Sequence, residues 1–316
     1  MSMTLPLLQI QTSEEWPATG QVRERKPPWL KVRAPGGPNY LHVQGLMRGQ
    51  GLHTICEEAR CPNIGECWEQ GTATFLIMGD ICTRGCRFCA VEKGKPAPLD
   101  PGEPARLATA IARLNLRHAV ITSVNRDDLE DKGAGAFAAV IREVRARCLQ
   151  TTVEVLIPDL RGAMEKLDEI LAAGPDILNH NMETVRRLYR RVRPGADYDH
   201  SLELLRRARA RGRAGLVTKA GLMVGVGEAH AELVQVMADL RAVECEVLTI
   251  GQYLRPSAWH LPIARYYHLA ELAELKRIGL ELGFRHVESG PLVRSSYHAA
   301  DQVPAPLRPA AAAPAH

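Results

Sequence analysis

Cys82-Thr83-Arg84-Gly85-Cys86-Arg87-Phe88-Cys89 follows closely on the apolar run Ala73-Thr74-Phe75-Leu76-Ile77-Met78. A short β-type run that opens into a loop with cysteines at CxxxCxxC spacing reads as a strand delivering ligands at its C-terminal end. Three thiolates this close can hold three irons of a cubane [4Fe–4S] cluster and leave the fourth iron without a protein ligand, open for chemistry. A structural zinc site is the main competitor. It wants four ligands, usually as paired CxxC or Cys/His knuckles, and no nearby histidine completes such a set.

The runs that follow set the fold. Apolar β-type segments occur at 74–78, 118–124, 152–157, 176–181, 217–226 and 247–254. Helical periodicity alternates with them at 104–114, 134–148, 163–173, 184–192 with 201–211, 231–243 and 267–282. Near-continuous apolar strands separated by helices mean parallel strands buried on both faces. The expected fold is therefore α/β, a partial (βα)6 TIM-like barrel with an N-terminal cysteine-bearing extension and a C-terminal docking tail. Six units fall two short of a closed eight-fold barrel, and the N-terminal arm and C-terminal tail are the expected covers of the gap. The expected division is 1–72 for the extension, 73–284 for the barrel and 285–316 for the tail, with 1–25 and 304–316 disordered.

Composition is that of an ordinary globular chain: 316 residues, 46% hydrophobic, 24% charged, net charge +4. Its basic residues, as in Arg186-Arg187-Leu188-Tyr189-Arg190-Arg191, are interleaved with apolar positions and read as solvated helix faces rather than a nucleic-acid groove, though an acidic protein could use them. No run of 18 apolar residues exists, so no membrane span is expected. Glu14 and Glu15 sit in an N-terminal stretch without the character of a secretory or import signal. Eight cysteines, six of them in two tight groups, look like cofactor ligands in a reducing compartment, and the cytoplasm is the default.

The second group is Cys56, Cys61 and Cys67, at Cx4Cx5C spacing within Leu52-His53-Thr54-Ile55-Cys56-Glu57-Glu58-Ala59-Arg60-Cys61-Pro62-Asn63-Ile64-Gly65-Glu66-Cys67-Trp68. It too is one ligand short, and a disulfide network would strand an odd thiol. Strand ends elsewhere are repeatedly polar, where parallel barrels gather their chemistry. They supply Asn125 and Arg126, Glu154 and Asp159, Asn179 and Asn181, Lys219 and Glu228, and Gln252. Each also has a plainer reading. Asp159 and Glu228 can cap helices, Gly225 and Gly227 can form a tight turn, and His180 can point outward as a packed core histidine. Cys148 and Cys245 read as small buried hydrophobes. The polar, Gly/Pro-marked stretch from Glu288 to His298 reads as a tail docked on the barrel rather than a further strand.

The CxxxCxxC loop with an aromatic before its last cysteine resembles the radical S-adenosylmethionine (SAM) enzymes. The second cysteine group and Arg294-Ser295-Ser296-Tyr297 resemble the lipoyl synthase family in particular, over about residues 26–299 and including ITSVNRDDL, NHNMETVRRLYRRVRPGADY and ESGPLVRSSYHA. The sequence departs from that pattern at Gly85, Asn125 and Ala220.

The resemblance implies two [4Fe–4S] clusters and SAM. Cys82, Cys86 and Cys89 would hold the cluster whose open iron binds SAM, reductive cleavage giving a 5′-deoxyadenosyl radical that abstracts hydrogen from C6 and then C8 of a protein-bound octanoyl chain. Cys56, Cys61 and Cys67 would hold an auxiliary cluster that donates its sulfides, with Ser296 rather than Ser295 as the fourth ligand. Phe88 would lie near the adenine. Asn125, Arg126, Asn179, Asn181, Lys219 and Glu228 would be candidates to hold SAM or substrate.

The implied partners are an octanoylated lipoyl carrier, either glycine-cleavage H protein or a 2-oxoacid dehydrogenase E2 lipoyl domain, a ferredoxin or flavodoxin type electron donor, and an iron–sulfur carrier, with no nucleic acid or membrane. Two alternatives stay open: another auxiliary-cluster enzyme that inserts sulfur into a different acceptor, and a non-catalytic module that binds the octanoylated carrier. Unactivated C–H bonds offer no acid–base handle, so a cofactor radical must do the hard step while the protein positions and excludes water.

Overall fold

The computed structural model describes residues 26–302, so the two segments expected to be disordered, 1–25 and 304–316, lie outside the described residues. Ten strands follow in order: β1 His53–Thr54, β2 Thr74–Ile77, β3 Ile81–Cys82, β4 Glu92–Lys93, β5 His118–Ser123, β6 Thr152–Leu156, β7 Ile177–Asn179, β8 Val217–Val224, β9 Val247–Gln252 and β10 His286–Gly290. Eight of them make one sheet, ordered β1-β2-β5-β6-β7-β8-β9-β10, and β3 with β4 forms a small separate ribbon. From β2 to β10 every pairing in the large sheet is parallel.

Three helices belong to the N-terminal arm, α1 Pro38–Gly49, α2 Ile55–Glu58 and α3 Ile64–Glu69. Between successive parallel strands run α4 Glu103–Arg113, α5 Ala134–Arg147, α6 Met164–Ala172, α7 Tyr189–Val192 with α8 Tyr198–Arg211, α9 His230–Ala242 and α10 Leu269–Glu281. The six strand–helix units expected from the apolar runs are therefore all present. Local signals explain the helix limits. The Asp197 carboxylate caps α8 by accepting from the amides of Asp199 and His200 at 2.8 and 3.0 Å. In α4, Leu107, Ala108, Ala110 and Ile111 recur at helical spacing and are all buried on the sheet side of the helix. The strands are buried on both faces, as β2 and β9 show along their whole length.

One expectation is corrected. The Glu288 stretch, read as pure tail, begins as β10, whose register with β9 runs from His286 opposite Val247 to Gly290 opposite Gly251. An edge strand has one strand neighbour and half-solvated side chains, so it need not be apolar. Its polar groups are placed: Ser289 Oγ donates to the Leu272 carbonyl at 2.8 Å, and Glu288 pairs with Lys276 at 3.5 Å. The tail proper starts after Gly290 and folds back over the sheet. A Cβ at Gly251 would collide with the Val293 carbonyl, so the glycine lets the tail cross there.

The two expected covers meet. Asn63 of the arm donates to the Leu292 carbonyl of the tail at 2.7 Å, Tyr297 Oη donates to Glu66 at 3.1 Å, and Thr74 Oγ1 donates to Ser296 Oγ at 2.8 Å. β1 extends the sheet antiparallel to β2, so the arm is anchored by backbone bonds as well.

Candidate active site

At the C-terminal ends of the parallel strands lies a cavity of about 510 Å³. Cysteines of both groups line it: Cys56 and Cys61 from the arm, Cys82, Cys86 and Cys89 from the first loop.

The first loop is held from several sides. Arg84 is buried and bridges two carboxylates, Asp127 through paired bonds at 2.6 and 2.9 Å and Asp159 at 2.6 Å. It thereby pins the loop to those following β5 and β6. Asp159 also caps the turn at Arg161. The Thr83 amide and hydroxyl both donate to the Asn125 carbonyl, at 3.1 and 2.9 Å. Arg87 N donates to Val192 O and Leu261 N to Arg87 O, each at 3.0 Å. His260 Nε2 donates to the Cys89 carbonyl at 3.0 Å, a carbonyl being able only to accept. The amides of Arg84 and Asn125 point at Cys82 Sγ, at 3.5 and 3.3 Å. Amides aimed at a ligand sulfur tune a cluster's potential.

The second group sits in the arm. Thr54 caps α2, which carries Cys56; Cys61 follows and Cys67 lies in α3. Burial pushes the thiols up, Cys56 to about 11 and Cys67 to about 12, with neighbouring sulfurs of the same group adding to the rise. In the loop, burial likewise pushes Cys89 to about 12 and raises Cys86. Such sites are neutral thiols until a cationic group displaces the protons.

The donors fit an iron–sulfur cluster better than a single ion. Three thiolates on one zinc at about 2.3 Å would stand about 4 Å apart. Among the described residues only His53, Glu58 and Asp80 bring three ligand atoms within 4.8 Å of one another, and neither cysteine group does. All six cysteines are free thiols. The indole N–H of Trp68, fully buried and bonded to no oxygen or nitrogen, lies at the Cys56 sulfur, a donor suited to a ligating thiolate.

The two serines of the tail diverge. Ser296 Oγ accepts from Thr74, whose amide and hydroxyl also reach the Cys56 thiol. Ser295 Oγ donates to Asn181 Oδ1 at 2.9 Å, on the barrel side.

Of the remaining candidates, Phe88, Asn125 and Asn181 line the cavity. Arg126 bonds Asp128 and the Met78 carbonyl. Lys219 and Asn179 both donate to the buried Glu154 carboxylate, at 2.8 and 3.2 Å, with His118 at 3.0 Å on its other oxygen. Burial alone would raise that carboxyl, but Lys219 and His118 hold it well below the usual range. Glu228 closes a tight turn by accepting from the amides of Gly225 and Val226 at 2.6 and 2.9 Å, and Gly225 has φ +97°. His180 is among the residues lining the cavity, but its ring nitrogens are turned to the backbone of β6's end and to α8. Its Nδ1–H donates to the Ile157 carbonyl at 2.8 Å and its Nε2 lies 3.0 Å from Ser201 Oγ.

Three lining residues were missed by sequence reasoning: Glu183, Arg193 and Arg294. Glu183 follows β7 with a left-handed φ of +66° and accepts from Asn181 Nδ2 at 2.9 Å. Burial raises its carboxyl, and Arg193 and Asn181 oppose the rise. Arg193 donates to Tyr189 Oη at 2.8 Å and lies in the field of Cys86, while Arg294 lies in the field of Cys61 and Glu183. Glu183 thus stands between two arginines, Arg193 on the side of Cys86 and Arg294 on the side of Cys61. Two signals of this set were visible, Glu183 at the polar end of β7 and Arg294 in the stretch Arg294 to Tyr297.

No helix among the described residues is long and apolar enough to cross a membrane. Residues 76–240 match the Radical SAM superfamily, and residues 9–61 match the N-terminal domain of lipoyl synthase of the radical SAM family. The chain is 61% identical over 277 residues to lipoyl synthase of Roseiflexus sp. (strain RS-1), covering 88% of this chain and 92% of that one. It is 57% identical over 300 residues to lipoyl synthase of Chloroflexus aurantiacus (strain ATCC 29366 / DSM 635 / J-10-fl), covering 95% and 97%. In fold it is similar to the crystal structure of methylornithine synthase, with a TM-score of 0.51 at 15% identity, covering 71% of this chain and 73% of that one. The chain belongs to the radical SAM superfamily and, within it, to the lipoyl synthase family.

Proposed function

We propose that this chain inserts two sulfur atoms, at C6 and C8, into an octanoyl group carried as an amide on a lysine of a lipoyl carrier protein. The observation that carries the reading is that both incomplete cysteine groups reach one cavity, Cys56 and Cys61 from one and Cys82, Cys86 and Cys89 from the other, with the tail serine Ser296 on the same wall. When bound, the clusters with SAM supply hydrogen-atom abstraction and sulfur.

The protein's part is placement. Cys82, Cys86 and Cys89 hold the SAM-binding cluster on a loop braced by Arg84 and His260. Cys56, Cys61, Cys67 and Ser296 hold the auxiliary cluster, Thr74 orienting the serine. Phe88 and Asn125 line the wall at the first group. Asn181 and Glu183 offer amide and carboxylate to the polar parts of SAM, and Arg193 supplies the positive charge beside Cys86. Asn179, Lys219, Arg126 and Glu228 support this surface through the bonds described above rather than by lining it. In division of labour, 1–72 brings the auxiliary ligands, 73–284 the barrel, and 285–316 the serine.

The carrier is an H protein or an E2 lipoyl domain, the electron donor a ferredoxin or flavodoxin, the cluster supplier an iron–sulfur carrier, and the compartment the cytoplasm. Anaerobic analysis tests the ligand sets: two cubanes give about eight irons and eight labile sulfides per chain. About four irons, or zinc, would sink the two-cluster assignment. Reduced protein with SAM and an octanoyl-lysyl peptide should give 5′-deoxyadenosine and the dithiolated peptide. Cleavage without sulfur on the peptide would indicate a different acceptor, and no cleavage a binding module.

A further inference from the structure

Trp259 is 96% exposed, the most exposed large apolar side chain among the described residues. It does not sit on a loose loop. Arg255, which lines the cavity together with Pro256, donates to the His260 carbonyl at 2.9 Å and to the Ala258 carbonyl. Ser257 Oγ donates to His260 Nδ1 at 2.8 Å and accepts from the Trp259 amide at 3.3 Å. His260 and Leu261 then tie the loop to Cys89 and Arg87. A rigid platform at the cavity rim therefore holds an indole in water.

The surface beside this loop is basic. Arg87 and Arg190 are exposed, and neither has an acidic partner among the described residues. Arg87 lies between the two segments: its amide donates to the Val192 carbonyl, two residues past Arg190, and its carbonyl accepts from Leu261, two residues past Trp259. Lys93 lines the cavity, and Glu92 is the one acid between residues 83 and 95.

Tryptophan and arginine are the residues that most often dominate protein–protein affinity, and a pre-ordered anchor loses little entropy on binding. We propose that this face, Trp259 flanked by Arg87 and Arg190, docks an acidic carrier domain and so delivers its acyl-lysine into the cavity. The inference rests on the proposed function for the identity of that domain. One aromatic among fixed cations gives a membrane little to bury, and a second copy would set like charges against each other on a chain of net charge +4.

The test compares an octanoylated carrier domain with a short octanoyl-lysyl peptide, using the reconstituted protein and its W259A and R190E variants. W259A should raise KM for the domain about tenfold or more while leaving kcat/KM for the peptide unchanged, and calorimetric titration should show the same loss of domain affinity. R190E should weaken domain binding and flatten its salt dependence. Unchanged domain KM in both variants would overturn the proposal, as would equal losses on domain and peptide. A W259A variant that turns a dimer into a monomer in sedimentation would assign the face to a second copy instead. If wild-type protein converts no peptide, the functional reading fails, and the titration still decides whether this face binds the domain.

Discussion

The two cysteine groups share a cavity but are built differently. The loop of Cys82, Cys86 and Cys89 is gripped by the barrel: a buried arginine pairs with two carboxylates, backbone amides point at a sulfur, and a histidine holds the last cysteine's carbonyl. The group of Cys56, Cys61 and Cys67 lies where arm and tail meet, closed by Thr74 on Ser296, Asn63 on Leu292 and Tyr297 on Glu66. A cluster that must survive every turnover suits the first arrangement. A cluster that gives up its sulfur, as the proposed function requires, suits the second, where Ser296 comes from a separate segment joined by single neutral or half-exposed bonds.

The contrast can be broken in order of effect. Arg84→Met leaves the buried Asp159 carboxylate without its cation and Asp127 with only the exposed Arg161 at 3.8 Å. It should cost about 3–5 kcal/mol in denaturant unfolding, as expected for a half-removed buried pair. A loss below about 1 kcal/mol would show that the loop is not held by this arginine.

Acid should act next, through His180. Burial, with Arg193 nearby, lowers its pKa from 6.5 to about 4, so the folded state keeps it neutral. The unfolded chain binds that proton first, so this contribution to stability is full above pH 6.5 and is lost as pH falls from 6.5 toward 4. Unfolding curves across this range should show the decline, and His180→Gln should flatten it. An unchanged slope in the variant would remove His180 from the account.

Smaller still is the effect at the seam. Thr74→Val removes the donor to Ser296 and should slow sulfur insertion about tenfold while sparing SAM cleavage, with recovery in Thr74→Ser. The Mössbauer signature of the site-differentiated iron should change in the valine variant and return in the serine one. No change in that signature would separate Thr74 from the ligand.

Much of this was legible in the chain. Apolar runs alternating with helical periods marked all six strand–helix units, because parallel strands buried on both faces leave an unbroken apolar trace. The cysteine groups and the orientation of His180 were legible too, since spacing and alternation act over a few residues, whereas the tail serines entered only through the family resemblance. β10 was not, because an edge strand tolerates Glu288 and Ser289. Nor were the pairings of Lys219 with Glu154, or of Arg84 with Asp127 and Asp159. Their partners stand dozens of residues apart in sequence and meet only through strand register, so a polar residue at a strand end could face the cavity or another strand equally well. That Glu183, Arg193 and Arg294 converge on the cavity wall was hidden for the same reason.

The central claim is the division of labour between the groups, and a single-turnover assay of two variants tests it directly. With reduced protein, SAM and an octanoyl-lysyl peptide, Cys61→Ala should still produce 5′-deoxyadenosine but no dithiolated peptide, while Cys86→Ala should produce neither. Equal loss of SAM cleavage in both variants would contradict it.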